Sequence, residues 1–388
     1  MVLTIPDVNF LSVFYNTTFT LFFFALAIFM LFVAIRGYIV KNRYGGSSTL
    51  VCGLFFVIFG LYNLYVGYLP YPYNGFMVWW IGILLVINLI FALIIHKLVR
   101  KIELEKLNTK SVSNVATKKW SLRNYLLIMS EEDPYQERIP IKMEAYRKSF
   151  HLAGFLFLFA YFGFFFIPPL TQIVNETVIV FINDIGWYYT SLWGDPKYYP
   201  YTKNDFQAVI DLTMFAFIGA LIFSIIPDLI RIIAGPKYSI MNFLTKSILR
   251  NKELNAVGPH IYLLSGIIFS YMLYIIGIVH VFVVITGILI ACFSDALAAL
   301  VGRAYGKYEV KCIGGDIKTV EGFIAGTLSS FLIGLILLGP VYAIIAAVFF
   351  FIIDLFPSVI ADNITNPLLI TLGIHLSFLL LRIPLGWN

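Results

Sequence analysis

The chain alternates long apolar segments with shorter polar ones from end to end. Because a helix of roughly 20 apolar residues crosses the hydrocarbon core of a bilayer, the pattern predicts about ten membrane spans. The predicted spans are 10–35, 48–69, 76–96, 150–170, 207–227, 259–278, 280–301, 321–339, 341–359 and 367–385. Only Gly339-Pro340 separates the eighth span from the ninth, so these two could form one kinked helix. The predicted fold class is all-α, a polytopic integral membrane protein.

Composition agrees with a bilayer protein. Of the 388 residues, 60% are hydrophobic and 12% are charged, far from the averages of soluble domains. The first span has no basic region before it and no small-residue cleavage site after it, so we interpret it as a retained helix. The three cysteines show neither metal-ligand spacing nor a disulfide pattern, and reduced thiols are expected.

The distribution of Lys and Arg predicts the orientation. If the N-terminus is outside, the cytoplasmic loops are 36–47, 97–148, 228–257, 302–320 and 360–366. The first four of these loops, with the adjoining helix ends, hold 24 of the 27 Lys and Arg residues, as the positive-inside rule requires. The net charge of +6 therefore reports topology and favours contact with anionic membrane lipids. The basic residues lie in separate loops rather than in one patch interleaved with aromatic residues, so they do not indicate a nucleic-acid partner.

The unusual polar residues gather at the predicted cytoplasmic ends of several spans. They are Arg147, Lys148, His151, Asp228, Arg231, Arg250, Glu253, His260, Asp295, Arg303, Lys307, Lys318, Glu321, Asp354, Asp362 and Asn363. A bilayer protein gains little stability from such groups, so their gathering predicts a site for a polar ligand at this face.

Simple structural roles also account for part of this set. Asp228 and Arg231 have the i, i+3 spacing of an ordinary helix-end ion pair, and Arg250 and Glu253 have the same spacing. Asp295 is harder to explain in this way, because it lies about one turn inside the seventh predicted span. A buried carboxylate at that depth needs a cation, and we expect one beside it.

These residue types suit a metal-bound phosphate ligand. Asp295 and one further acid, Asp362 or Glu321, would satisfy a Mg²⁺ ion that keeps phosphate and water as its other ligands. Cations would neutralise phosphate oxygens, and glycines would let backbone amides approach them; the candidates are Lys148, Arg303, Lys307, Lys318, Gly302, Gly306, Gly314 and Gly315. Phosphoryl transfer depends mainly on such positioning. The base that orients the attacking hydroxyl stays open between Asp228 and Glu253.

Two common motifs are missing from the sequence. The spacing from Gly302 to Lys307 is wrong for a GxxxxGK[ST] phosphate loop, and Tyr308 follows the lysine. The zinc motif HExxH is also missing. A P-loop kinase and a metalloprotease are therefore disfavoured.

The run 294–322 resembles the CTP-dependent polyprenol kinase family, which includes dolichol kinase and phytol kinase and is distantly related to the phosphatidate cytidylyltransferases. That family shows an Asp followed by small residues, then Gly-Arg, Gly-Lys and Lys-Thr-x-Glu-Gly. The matching positions are Asp295, Ala298, Gly302, Arg303, Gly306, Lys307, Lys318, Thr319, Glu321 and Gly322. Four further blocks match in order across 145–385: Arg147, Lys148 and His151; Asp228 and Arg231; Arg250, Glu253 and Gly258; and Asp362 and Asn363.

The resemblance implies transfer of the γ-phosphate of CTP, with Mg²⁺, to the hydroxyl of a long isoprenoid alcohol such as dolichol at the cytoplasmic membrane face. It implies catalytic roles for Asp228, Asp295 and Glu253, with Asp295 and Asp362 as metal ligands. It further implies nucleotide contacts by Lys148, Gly302, Arg303, Gly306, Lys307, Lys318, Thr319, Glu321 and Gly322. Supporting roles would fall to His151, Arg231, Arg250 and Asn363.

The same likeness divides the chain into three parts. Residues 148–388 would be a seven-span catalytic domain, and residues 101–147 a cytoplasmic linker at the membrane surface, with a short helix expected near 98–107. Residues 1–100 would be a three-span extension without a recognised motif. The expected location is the cell membrane of a prokaryote or the endoplasmic reticulum membrane of a eukaryote.

Alternative functions remain open on the sequence. A cytidylyltransferase that forms a CDP-activated lipid is disfavoured, because the Ser-Pro expected before Lys318 and a late Pro-Gly-His-Gly-Gly segment are missing. The family's acidic position in the ninth span is Asp354 here rather than Glu, so its role is open. A transporter would need polar residues throughout the bilayer depth rather than at one face. A purely structural membrane subunit would leave Asp295 unexplained.

Overall fold

Apolar helices build the described part of the protein. In a computed structural model, the described residues are 8–69, 71, 73–108, 144–145, 148–149, 151, 176, 180, 205–235, 238–241, 256–312, 317–356 and 359–386. The helices are α1 (Val8–Ile39), α2 (Arg43–Tyr65), α3 (Tyr73–Asn108), α4 (Asp205–Ala234), α5 (Pro259–Ile275), α6 (Val281–Leu289), α7 (Asp295–Tyr305), α8 (Val320–Leu338), α9 (Pro340–Leu355) and α10 (Asp362–Leu381).

Two shorter elements interrupt the helices near the centre of the predicted site. A π-helical segment, Ile290–Ser294, joins α6 directly to α7. An antiparallel hairpin of β1 (Glu309–Lys311) and β2 (Ile317–Thr319) lies between α7 and α8. The prediction of an all-α protein therefore holds apart from this small hairpin, which the helical reading of the sequence did not foresee.

Seven helical stretches in the described chain are long and apolar enough to cross a membrane. They are Phe10–Ile39, Arg43–Tyr65, Tyr73–Leu98, Thr213–Ala234, Val281–Tyr305, Val320–Leu338 and Asp362–Leu381. The predicted spans 259–278 and 341–359 correspond to the shorter apolar helices α5 and α9, of 17 and 16 residues. The predicted span 150–170 lies outside the described residues. The chain is thus an integral membrane protein, while the total of ten spans and the outside N-terminus stay predictions.

The third predicted span and the short helix expected near 98–107 are one element. Helix α3 has 36 residues without a break. At 1.5 Å per residue it is about 54 Å long, well beyond the hydrocarbon core of a bilayer. Its C-terminal part therefore extends out of the membrane as a continuation of the span.

The eighth and ninth predicted spans are two helices rather than one kinked helix. Gly339 has a φ of +85°, a conformation that favours glycine, and a proline begins α9. A Cβ on Gly334 would lie 2.8 Å from the Cα of Ala343, and one on Gly326 would lie 2.5 Å from the ring of Phe350. Since these contacts run in opposite chain directions, α8 and α9 form an antiparallel hairpin.

The first three helices share the hydrophobic core of the rest of the protein. Helix α2 runs parallel to α5: the hydroxyls of Thr49 and Tyr262 lie 2.8 Å apart, and Cys52 Sγ lies 3.3 Å from Ser265 Oγ. One continuous cluster of buried apolar side chains includes members of α1, α2 and α3 together with α4 to α6 and α8 to α10. The predicted extension 1–100 is therefore packed into the same core as the predicted catalytic domain.

The loops predicted to be cytoplasmic meet at one face of the bundle. Ser48, near the start of α2, accepts a hydrogen bond of 2.9 Å from the backbone N–H of Ala361, just before α10. Asn363 donates from its amide to the carbonyl oxygen of Pro259, at the start of α5, over 3.1 Å. The predicted alternation of the spans thus brings the starts of α2, α5 and α10 together.

We predict that this close meeting of α5 and α10 tolerates no side chain at Gly266. A Cβ there would lie 2.7 Å from the carbonyl oxygen of Ile364, so Gly266→Ala should lower the free energy of unfolding by about 1–3 kcal/mol. The matched control is Gly82→Ala in α3, where a Cβ meets nothing within 4 Å and helix propensity should make the change neutral or stabilising by up to about 1 kcal/mol. Thermal unfolding in detergent measures both. Equal shifts for the two variants would contradict this packing.

Candidate active site

The seventh span carries Asp295 at a local change of helix type. The π-helical segment Ile290–Ser294 ends at Ser294, and Asp295 is the first residue of α7. π-Helical insertions are uncommon and occur often at functional sites, because the extra residue redirects the side chains that follow. Asp295 lies ten residues, or almost three helical turns, before the end of the span at Tyr305.

The cation expected beside Asp295 is Lys148. The Lys148 Nζ forms an ion pair with Asp295 Oδ2, and the side chains are 4% and 14% exposed. The same carboxylate oxygen lies 3.7 Å from His151 Nδ1. A buried carboxylate needs such a partner, so Lys148 and His151 fix the position of Asp295 in the low-dielectric interior.

A second ion pair joins the same two segments. Arg303 Nη2 lies 3.1 Å from Glu144 Oε2, and the Glu144 side chain is fully buried. Glu144 thus contacts the end of α7 while the later residue Lys148 contacts its start at Asp295. Glu144 and Lys148 therefore follow one another in the direction opposite to α7. The predicted phosphate-binding residue Arg303 has a carboxylate partner and is one-third exposed.

Lys318, on β2, is held by the end of α9. Its Nζ donates to Asp354 Oδ1 over 2.5 Å and to the Asp354 carbonyl oxygen over 2.8 Å. Burial by itself would lower the pKa of Lys318. The attraction of Asp354, with smaller contributions from Asp362 and Asp295, outweighs burial and raises the pKa above its ordinary value. Lys318 is consequently a permanent cation near neutral pH.

Three carboxylates from three helices therefore act on one ammonium group. Asp295 belongs to α7, Asp354 to α9 and Asp362 to the first turn of α10, and all three attract the charge of Lys318. Among the described residues, no group of three His, Cys, Asp or Glu side chains is close enough to hold a metal alone. Mg²⁺ needs only one or two carboxylates when phosphate and water complete its shell, and the assignment of Asp295 and Asp362 as its ligands stays a prediction.

The predicted phosphate-binding glycines have a packing role at the crossing of α7 and α8. A Cβ on Gly302 would lie 2.7 Å from Thr319 Oγ1, and one on Gly322 would lie 2.7 Å from the Ala298 carbonyl oxygen. On Gly306 it would lie 2.1 Å from the Gly302 carbonyl oxygen. Small residues spaced in this way let helix backbones approach closely in a membrane. The structure thus explains these glycines without a ligand.

Thr319 and Glu321 begin α8. The Thr319 hydroxyl accepts from the backbone N–H of Gly322 over 3.2 Å and caps the helix. Glu321 lies in the first turn, where a carboxylate suits the helix dipole, 3.5 Å from the backbone nitrogen of Tyr308. Lys307 is exposed on the same short connection. The side chain of Lys307 is therefore more exposed than those of its neighbours Thr319 and Glu321.

The predicted catalytic residue Asp228 is fully engaged in a structural pair. Arg231 Nε lies 2.6 Å from Asp228 Oδ1, and the other carboxylate oxygen accepts from Arg231 Nη2 over 3.2 Å and from the Gly258 backbone N–H over 2.9 Å. Arg231 also donates to the Ala256 carbonyl oxygen over 2.7 Å. The pair therefore ties the end of α4 to the turn before α5. This geometry favours the ordinary ion-pair interpretation of Asp228 and Arg231.

Other predicted residues divide into two groups. Asn363 lies beside Asp362 but uses its amide to bond Pro259, so its contact is structural. Asp362 itself is exposed at the start of α10. Arg147, Arg250, Glu253, Gly314 and Gly315 lie outside the described residues, and their predicted roles stay predictions.

Two residues of the site, Glu144 and Asp354, were assigned no role from the sequence. Glu144, Lys148 and His151 have the i, i+4, i+7 spacing of one helical face, a signal that could have linked Glu144 to the site. Asp354 was counted among the gathered polar residues and as a departure from the family pattern, but it was assigned no role, and its pairing with Lys318 depends on the antiparallel return of α9. The signal for Asp354 was a single acidic residue at the end of an apolar run.

Comparison of the chain with known proteins gives no match. No protein-family model matches the chain, and neither a curated protein nor a solved structure is significantly similar to it. The resemblance to polyprenol kinases therefore rests on the motifs quoted above.

We predict that Asp228 acts on stability rather than on chemistry. Asp228→Asn should leave the buried guanidinium of Arg231 without its counterion and lower the free energy of unfolding by about 3–5 kcal/mol. The double replacement Asp228→Leu with Arg231→Met should be less harmful than the single one, because it removes both charges. Thermal unfolding checks this ordering. A stable Asp228→Asn protein without turnover would instead support a catalytic base.

The raised pKa of Lys318 predicts a pH dependence of stability. A folded pKa above the unfolded value stabilises the fold fully below the ordinary value of 10.5 and loses this contribution as the pH rises through the folded pKa. Lys318→Met should therefore remove a stabilisation that is constant around neutral pH and fades only in strong alkali. Lys307→Met, at an exposed lysine, is the control. The two variants are compared with the parent protein by thermal unfolding across this pH range, and an early loss near neutral pH would refute the assignment.

Proposed function

We propose that the protein is a CTP-dependent lipid-alcohol kinase that transfers the γ-phosphate of CTP to the hydroxyl of a polyprenol such as dolichol at the cytoplasmic membrane face. The observation that carries the proposal is a pair of contacts at the helix ends, Lys318 with Asp354 and Lys148 with Asp295, with Asp295 and Asp362 near enough to attract the charge of Lys318. These residues come from distant parts of the chain. They supply the carboxylates and cations that a site for Mg²⁺ and a triphosphate requires.

The ion pairs give the proposed site a way to admit its ligand. In the resting arrangement Lys148 neutralises Asp295, and Lys318 neutralises Asp354. Asp295 and Asp362 would hold Mg²⁺, and Lys148 and Lys318 would bind the phosphate oxygens. Asp295 and Lys148 would each exchange one partner of opposite sign for another, while Lys318 would keep Asp354 as a partner, so no buried charge is left uncompensated. Mg²⁺ would supply charge neutralisation of the phosphate oxygens when bound.

The reaction in this site is an in-line displacement. The oxygen of the lipid alcohol forms a bond to the γ-phosphorus, the bond from that phosphorus to the bridging oxygen breaks, and CDP leaves. The alcohol proton passes to a base, for which Glu253 and Asp228 were the sequence candidates. Because both oxygens of Asp228 already accept hydrogen bonds, Glu253 is the better candidate of the two.

Lipid access agrees with the position of the site. Asp295 lies within an apolar span, whereas Lys318 lies on the hairpin that precedes the first residue of α8. An alcohol whose chain stays in the bilayer can therefore present its hydroxyl to the same pocket that receives a nucleotide from the aqueous side. A transporter would need polar residues throughout the bilayer depth, whereas the described polar residues of the site lie towards one end of the spans.

We predict that Asp295→Asn abolishes phosphoryl transfer. Purified protein, γ-labelled CTP, Mg²⁺ and a polyprenol should give labelled polyprenyl phosphate and CDP, and the variant should be slower by at least ~10³-fold because metal-bound phosphate loses its anchor. Glu309→Gln, a carboxylate-to-amide change on the exposed strand β1, is the control. Undiminished transfer by Asp295→Asn would remove Asp295 from the site.

The products and the nucleotide panel decide between the competing functions. Each of the four NTPs is tested with polyprenols, diacylglycerol and phosphatidate, and both products are identified. CDP with a lipid phosphate supports the kinase, whereas pyrophosphate with a CDP-lipid supports a cytidylyltransferase. A parent protein that is folded yet inactive with every pair overturns the proposal and favours a transporter or a structural subunit.

A further inference from the structure

The start of α10 places Asp362 in the proposed site. Ala361 is the residue before Asp362, is almost fully buried and offers no side chain to cap the helix. Asn363 and Ile364 then contact α5, through Pro259 and Gly266. The direction in which Asp362 leaves α10 therefore depends on how the backbone of Ala361 is held.

A residue of α2 holds that backbone. Ser48 Oγ accepts a hydrogen bond of 2.9 Å from the N–H of Ala361, and Ser48 is 0% exposed. The Ser48 hydroxyl donates its own proton to the Tyr44 carbonyl oxygen over 2.8 Å. Because the proton is committed to Tyr44, the oxygen lone pairs face Ala361. Ser48 thus serves the N-terminal end of α10 from 313 residues away in the chain.

Helix α2 cannot easily slide to release this contact. One residue later, Thr49 Oγ1 lies 2.8 Å from the Tyr262 hydroxyl, and one turn later Cys52 Sγ lies 3.3 Å from Ser265 Oγ. Both contacts are buried and fix α2 against α5. Since α5 also receives Asn363, the same pair of helices braces α10 on either side of Asp362.

We propose that Ser48 is a positioning residue for Asp362, so that the first three helices form part of the active site rather than an accessory extension. The inference rests on the proposed function, because it gives Asp362 the role of a magnesium ligand. Ser48 touches neither metal nor substrate in this scheme. It acts through the backbone of Ala361, which sets the carboxylate of Asp362 relative to Lys318 and Asp295.

The kinetic test compares Ser48→Ala with Ser47→Ala in the full-length protein. Ser47 is the neighbouring serine of α2. Its hydroxyl forms an exposed hydrogen bond with the hydroxyl of Tyr38, which belongs to α1. Ser48→Ala should raise the Mg²⁺ concentration for half-maximal turnover about tenfold, equivalent to one weakened buried hydrogen bond, with an unchanged KM for the polyprenol. Ser47→Ala should behave as the parent protein. An equal Mg²⁺ requirement for both variants overturns the inference.

A second variant removes the other partner of the bond. Ala361 has φ of −58° and ψ of 128°, which proline adopts, so Ala361→Pro deletes the N–H donor without forcing the local backbone. Its ring would press on Ser48 Oγ, and Ser48→Ala makes room for it. The double variant should therefore need no more Mg²⁺ than the worse single variant. Fully additive effects would show that the two residues act independently and would refute the inference.

Hydrogen exchange separates this inference from the proposed function. In Ser48→Ala, the amides at the start of α10 should exchange faster, while those of α5 and α9 should keep the protection of the parent protein. An inactive parent protein overturns the proposed function, and exchange then still decides whether Ser48 orders Ala361 and Asp362. Unchanged exchange at these amides overturns the positioning role whether or not the protein is active.

Discussion

A charged side chain inside a bilayer needs a partner of opposite sign, and this requirement determines which distant segments of the protein meet. Asp295, within the seventh predicted span, pairs with Lys148 from the segment before the fourth predicted span. Lys318 meets Asp354 only because α9 returns antiparallel to α8. Desolvation makes each charge too costly to leave alone, so the pairs determine the arrangement of the helix ends at one face.

The ion pairs differ in what they leave available. Asp228 receives hydrogen bonds on both carboxylate oxygens from Arg231 and the Gly258 backbone, so that pair is closed and structural. Around Lys318, by contrast, more than one carboxylate acts on a single ammonium group. An open arrangement of this kind can exchange its partners for those of a metal-bound phosphate, whereas a closed one would have to break. The same residue types thus serve packing in one place and, in the function proposed above, ligand binding in another.

Close helix crossing makes this arrangement compact. The glycines at 302, 306 and 322 allow α7 and α8 to approach until their backbones touch, which brings Thr319, at the end of the hairpin, beside the end of α7. That approach is why Lys318 reaches the carboxylates of neighbouring helices. A glycine that resembles a phosphate cradle in the sequence can therefore serve the site indirectly, by shortening the distance between the elements that carry its charges.

The amino-acid sequence alone was enough to predict apolar membrane-spanning helices, a gathering of charged residues at the ends of several spans and the need of Asp295 for a cation. Each follows from local pattern or from the solvent, since an apolar run of sufficient length and a buried carboxylate have few alternatives in a bilayer. Only the tertiary structure decided that the cation is Lys148, that Asp354 holds Lys318 and that Ser48 supports the start of α10. Those choices depend on which helices pack together, because pairing across hundreds of residues has no periodic signature in the chain.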